Sequence, residues 1–200
     1  MEKNFKEALA NRRSYYAITG SSTISDKEIE DIIAFTVNNV PSAFNSQSTR
    51  IVLLLGEHHK ALWNIVKETL KGIMPAAAYP SAEQRIDKSF ASGYGTILFF
   101  EDSAVVKQLE NNFPLYKEGF KVWSQQTSGM HQLVVWTMLE SAGLGASLQH
   151  YNPLINEEVR KKWDIPSDWE LTAQMPFGKP LEIPQKKEMQ PVEKRVKTFK

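Results

Sequence analysis

Two hundred residues, 42% of them apolar, suffice for one sizeable core, so a single unit over 1–200 is expected. Lys and Arg number 24 against 23 Asp and Glu, a formal charge of +1 that leaves no bulk field to draw the chain onto nucleic acid or an anionic membrane. Cys is absent, which removes disulfides, iron–sulfur clusters, Cys-zinc sites and thiol nucleophiles. The opening MEKNFKEALANRRSYY mixes charged and apolar residues and lacks the apolar run of a secretion signal. No later stretch approaches the ~20 apolar residues of a membrane span, so a cytoplasmic protein without membrane attachment is expected.

Phe5, Ala8, Leu9 and Arg12 follow helical spacing and predict a short first helix ending near Arg12-Arg13-Ser14, with a loop up to Thr23. Ser25 and Glu28 form a capping-box pair, after which Ile29, Ile32, Ile33, Val37 and Val40 share one face until Pro41 stops the helix. Beyond the polar loop, residues 50–55 read as a buried strand closed by Gly56, and Leu62, Ile65, Val66, Thr69 and Leu70 as an amphipathic helix. Residues 73–92, with Pro75, Pro80 and a row of alanines, read as irregular or as a short helix. A second central strand is expected over 96–100, and a short helix over 104–112 before Pro114. The longest helix is read over 125–142, with Met130, Leu133, Val134, Thr137, Met138 and Ser141 on one side and Gly143 as its C-cap. Strands over 146–150 and 170–177 follow, separated by a helix near 156–163. Alternating helices and strands predict an α+β or α/β layered fold on one central sheet, and the proline-interrupted basic stretch 178–200 an extended arm.

Three segments offer binding chemistry. At the end of the first helix, Arg12, Arg13 and Ser14 supply two guanidiniums and a hydroxyl, able to hold a phosphate or polarise a ring carbonyl, unless they are simply a solvated basic helix end. In the loop 41–48, Ser, Asn and Gln side chains supply paired donors and acceptors suited to the edge of a planar heterocycle, or plain turn chemistry. Phe44, an aromatic inside this polar loop, is set apart from the core aromatics. In the third segment, 140–149, Gly143 and Gly145 let the backbone approach a ligand closely, or merely cap the helix and lead into the next strand. These glycines come after a helix and before a strand, the reverse of the dinucleotide fingerprint. No GxxxxGK[ST], GxSxG or HExxH motif is present, and His58, His59, His131 and His150 lack metal-ligand spacing and read as surface or packing residues.

Taken in order, the N-terminal RRS, the PSxxNxQ loop and the passage from SGMHQLVVWTMLES through GLGASLQHYNP resemble the flavin-binding elements of the nitroreductase family. The last passage looks especially like the short branch typified by fungal fatty-acid-repression proteins. The resemblance implies a central mixed, mainly antiparallel sheet flanked by helices, and a homodimer with an FMN site at each side of the interface. It implies that Arg12, Arg13 and Ser14 meet the FMN ring edge, ribityl chain or phosphate. Pro41, Ser42, Ala43, Phe44, Asn45 and Gln47 are expected from the opposite subunit. Leu144, Gly145, Ala146, Ser147 and Leu148 are expected against the flavin near N5 and O4, with Ser147 and its neighbours as backbone donors. Lys186 or Lys187 is expected at the phosphate. Tyr16, standing where many relatives carry a second basic group, is counted with the cofactor-binding residues.

The activity so implied is ping-pong reduction of nitroaromatics, quinones or similar flat acceptors by NAD(P)H, with the flavin performing the chemistry and no obligatory catalytic side chain. Two rival readings are an FMN-binding stress or regulatory protein with little turnover, and a nucleic-acid binder resting only on the basic tail.

Overall fold

The computed structural model describes residues 4–200. Among these, five strands form one sheet: β1 (Ile18–Thr19), β2 (Thr49–Leu55), β3 (Gly95–Asp102), β4 (Gly145–Ala146) and β5 (Trp169–Pro180). The order is β1-β5-β3-β2, with β4 also on β5, and every strand pair is antiparallel. The mixed character expected of the sheet is confined to a single parallel bridge between Ser14 and Ala146.

β3 is buried from Gly95 to Glu101, as a strand covered on both faces must be, and its side chains alternate between two cores. Leu98 and Phe100 join Leu62, Trp63 and Val66 of α3 (Gly56–Ile73) and Val159 of α7 (Asn156–Trp163). Ile97 and Phe99 face the other way, toward Ile29 and Ile32 of α2 (Asp26–Asn39) and Val135 and Leu139 of α6 (Lys117–Ser141). The result is a helix–sheet–helix sandwich. α2 starts on the capping box read from the sequence: Ser25 Oγ accepts from the Glu28 N–H at 3.3 Å, and the Ser25 N–H donates to Glu28 Oε2 at 2.8 Å. α1 (Phe5–Asn11) has the same device from Asn4 and Glu7, although Ala8 is its one buried residue. No helix among the described residues is long and apolar enough to cross a membrane.

Several elements differ from expectation for identifiable reasons. β1 is two residues long, too short to carry a period, and exists because Ile18 and Thr19 pair with Pro180 and Lys179. Residues 73–92 contain α4 (Tyr79–Ile86), with Pro80 in its first turn, running into a π turn over Asp87–Ala91. The strand expected over 146–150 is reduced to β4 and a bridge between Gln149 and Gln174. β5 runs on to Pro180, so the chain leaves the sheet there and continues as an exposed tail with one short turn.

α6 differs most. It begins at Lys117 rather than 125, because Phe120 and Trp123 pack on aromatic partners that propensity does not anticipate. Its buried stripe is Phe120, Ser124, Thr127, Ser128, His131, Val135 and Leu139, at helical spacing. Met130 and Leu133, which the spacing groups on one side of the helix, are 40% and 44% exposed. The small polar residues are tolerated inside because their hydroxyls are satisfied: Ser124 donates to the Lys121 carbonyl at 3.0 Å and Ser128 bonds Thr172 at 3.0 Å. An apolar face is therefore left looking outward. α5 (Ser103–Asn112) completes the set, capped by Asp102, whose Oδ1 accepts from the Ala104 N–H at 3.1 Å.

Candidate functional site

The first and third segments meet. Ser14 bridges Ala146, and the Tyr15 N–H donates to the Ala146 carbonyl at 2.9 Å. Gly143, in the left-handed region at φ 80, ends α6, and its N–H donates to the Glu140 carbonyl at 3.0 Å. Gly145 is required by contact rather than by torsion: a Cβ there would lie 2.7 Å from Cγ of Tyr15. Leu144, Ala146 and Ser147 are buried, while Leu148 is partly buried against the α2–α6 core. The Ser147 N–H donates to the Pro176 carbonyl at 3.2 Å and its Oγ accepts from Gln149 at 3.0 Å. That N–H is committed to the sheet, which leaves the expected donor role to its neighbours.

Two features of this half fit an anion. The Arg12 guanidinium lies 4.4 Å from the ring centre of Trp136, a cation–π stack, and its Nε is buried with no hydrogen-bond partner. A buried N–H without an acceptor costs about 1–3 kcal/mol, so Arg12 is poised for one that the described residues do not supply. Arg13 donates through Nη2 to the Gln185 carbonyl, tying the tail to this edge just before the exposed Lys186 and Lys187. Between tail and helices lies a cleft of about 370 Å³ lined by Asn11, Arg13, Tyr15, Glu140, Gly143 and Ile183. Tyr16 lies apart from it, 6.4 Å from Phe90 and beneath Arg85.

The second segment lies elsewhere. Ala43–Asn45 form a single helical turn, and Phe44, Asn45 and Gln47 all have positive φ. Phe44 joins an aromatic group of Phe113, Phe120, Tyr116 and Trp123, at 4.8, 5.3, 5.8 and 6.4 Å between ring centres. Ser48 and Thr49 donate from their hydroxyls to the buried Glu101, each at 2.6 Å. His131 donates through Nδ1 to the Thr127 carbonyl at 2.9 Å and stands 3.3 Å from Thr49 Oγ1. Thr49 pairs with Glu101 at one end of β3, whereas Ala146 pairs with Phe177, which pairs with Gly95 at the other. Six residues of strand, about 20 Å, separate the two halves within one chain.

Sequence reasoning missed Trp136, Arg50, Glu101 and the aromatic group around Phe44. Arg50 and Glu101 carried a usable signal, as charged residues at the ends of otherwise apolar strands. The Arg12–Trp136 stack, between residues far apart in the chain, had none.

Burial also sets a pH dependence. It pushes His59 and His131 below the ordinary imidazole value of 6.5. His59 is held neutral between the Thr96 hydroxyl at 2.8 Å and the Ala91 carbonyl at 3.2 Å. Below 6.5 the unfolded chain takes up protons that these rings refuse, so their stability contribution is full above that value and lost on acidification. Burial pushes Glu101 above its ordinary 4.5, the opposite sign: its contribution falls as pH rises above 4.5. The thermal midpoint is expected to drop between about pH 7 and pH 5.5, less steeply in His59→Gln, as read by differential scanning fluorimetry. A midpoint flat over that range contradicts the two buried neutral rings.

An antiparallel sheet between helical layers thus carries a guanidinium-rich edge at one end and a polar loop at the other. A family model described as the nitroreductase family matches residues 9–179. Nitroreductase FRM2 of Saccharomyces cerevisiae is 32% identical over 188 residues, 92% of each chain. Nitroreductase CinD of Lactococcus lactis, solved with nicotinic acid, superposes with a TM-score of 0.90 at 40% identity, covering 98% of this chain and all of that one. CinD has also been solved with 4-nitrophenol. A protein of Exiguobacterium sibiricum solved in complex with FMN shares the fold, with a TM-score of 0.71 at 16% identity and 98% of each chain covered. The chain belongs to the nitroreductase family and is an oxidoreductase.

Proposed function

We propose that the protein is an FMN-dependent NAD(P)H oxidoreductase that acts on flat aromatic acceptors as a homodimer, each cofactor site built from both copies. The observation that carries this reading is the separation of about 20 Å between the Arg12–Ala146 edge and the 41–48 loop of one chain, which a second copy can close. The apolar face of α6 and the exposed Leu181, Ile183, Met189, Val192, Val196 and Phe199 of the tail offer the surface such a pairing needs.

FMN suits the residues present. Its phosphate or carbonyls answer the orphaned Arg12 Nε, with Arg13, Ser14 and one of Lys186 and Lys187 adding donors. Asn45 and Gln47 of the partner copy supply paired donor and acceptor groups to a ring edge. When bound, the flavin supplies two-electron chemistry, accepting a hydride from reduced nicotinamide and passing reducing equivalents to the acceptor in a ping-pong cycle. The chain's own work is positional. Gly145 and Ala146 present backbone without bulk, the guanidiniums set positive potential, and the aromatic group around Phe44 offers a flat apolar wall. The small aromatic molecules bound by CinD favour flat acceptors. The lack of Cys suits work in a reducing cytoplasm.

Purified protein is expected to show flavin absorbance and to oxidise NADH or NADPH with a nitroaromatic or quinone. A colourless protein that binds no added FMN overturns the proposal.

A further inference from the structure

Non-glycine residues rarely take positive φ, and a run of them persists only where the surroundings impose it. In the 41–48 loop Phe44, Asn45 and Gln47 have φ of 54, 53 and 49. Gln47 is pinned on both sides of its backbone. Its N–H donates to Ser42 Oγ at 2.9 Å, and its carbonyl accepts from Arg50 Nη1 at 2.6 Å. The same Nη1 reaches the Thr49 carbonyl at 3.2 Å, while Nη2 pairs with Asp102 Oδ2 at 2.9 Å. Asp102 is itself fixed, since its other oxygen caps α5. Arg50 therefore ties the loop to β3 and α5 with a fork whose N–H directions are rigid, a geometry that the ammonium of lysine does not reproduce. Gln47, Arg50 and His131 line one cavity of about 340 Å³.

We propose that Arg50 is a positioning residue for cofactor binding: by holding the Gln47 carbonyl while braced on Asp102, it fixes Gln47 in the left-handed conformation that presents its side-chain amide to FMN. This rests on the FMN-binding reading above. Arg50 acts through Gln47 and has no contact with the cofactor in the proposal.

FMN titration of the flavin-stripped protein, followed by fluorescence quenching, tests it in wild type, Arg50→Met, Arg50→Lys, Gln47→Ala and the Arg50→Met/Gln47→Ala double variant. Arg50→Met is expected to weaken FMN binding by about 10-fold or more, the loss of a charge-assisted hydrogen bond, with partial recovery in Arg50→Lys. In the Gln47→Ala background the Arg50→Met change is expected to have no further effect, because a residue acting through Gln47 is silent once that side chain is gone. Asp102→Asn keeps the α5 cap but removes the brace, so it is expected to weaken FMN in the same direction and replaces Arg50→Met if that variant does not fold. Equal losses in both backgrounds, or unchanged affinity in Arg50→Met, overturn the proposal alone. Wild-type protein that binds no FMN overturns the functional reading and this proposal with it.

Discussion

Leu133→Asp is expected to give a folded chain that elutes as a monomer and retains little FMN. Leu133 lies at the middle of α6 and is 44% exposed, beside Met130 at 40%, while the same helix buries Ser124, Thr127, Ser128 and His131. A helix that hides small polar residues and displays leucine and methionine has a second apolar face awaiting cover. Within one chain the substitution removes little packing, so the fold should survive it. At a two-fold interface the same change occurs twice, and each carboxylate placed in an apolar contact costs several kcal/mol, enough to split a dimer at micromolar concentration. Light scattering and the ratio of flavin to protein absorbance read both consequences. A dimeric variant with full FMN content places the interface on another face.

Arg12→Ala is expected to lower FMN affinity by roughly 10- to 100-fold while leaving the flavin-free protein as stable as before. The loss follows from a charge-assisted hydrogen bond of about 1.5–3 kcal/mol. The unchanged stability follows from cancellation. Removing the stack on Trp136 forfeits about 0.5–2 kcal/mol, and removing the buried, partnerless Nε relieves a penalty of similar size. Thermal midpoints should then coincide without FMN and diverge with it, because ligand binding adds stability only to the protein that binds. A variant that keeps its FMN but melts far earlier makes Arg12 a structural residue.

Much of the fold was legible because local signals agreed with tertiary demands. Ser25 and Glu28 announced α2, the run Ile51 to Leu55 announced β2, and Gly143 announced the end of α6. What escaped was decided by distant partners. Ile18 and Thr19 become a strand only because Lys179 and Pro180 return beside them. α6 carries apolar residues on two faces, and hydrophobicity alone selects Met130 and Leu133 over the stripe that is buried, whose polar members are acceptable only with their hydrogen bonds in view. In the candidate site, the sequence exposed the residue types of all three segments, and the structure added that Ser14 and Ala146 touch while the 41–48 loop stands at the far end of the sheet. It added as well that Phe44 belongs to an aromatic group with residues 69 or more positions later, a distance over which no periodicity speaks.

Complementation between two defective copies tests most directly whether each cofactor site draws on both chains. Arg12→Ala damages one half of the site and an Asn45→Ala/Gln47→Ala variant the other, so each homodimer should be poor in FMN. In a purified heterodimer of the two, the damage falls together on one site and the other is intact, so FMN binding at wild-type affinity is predicted at one site per dimer. If both halves came from the same chain, every site in the heterodimer would carry a defect, and the absence of any recovered tight binding would contradict the shared pocket.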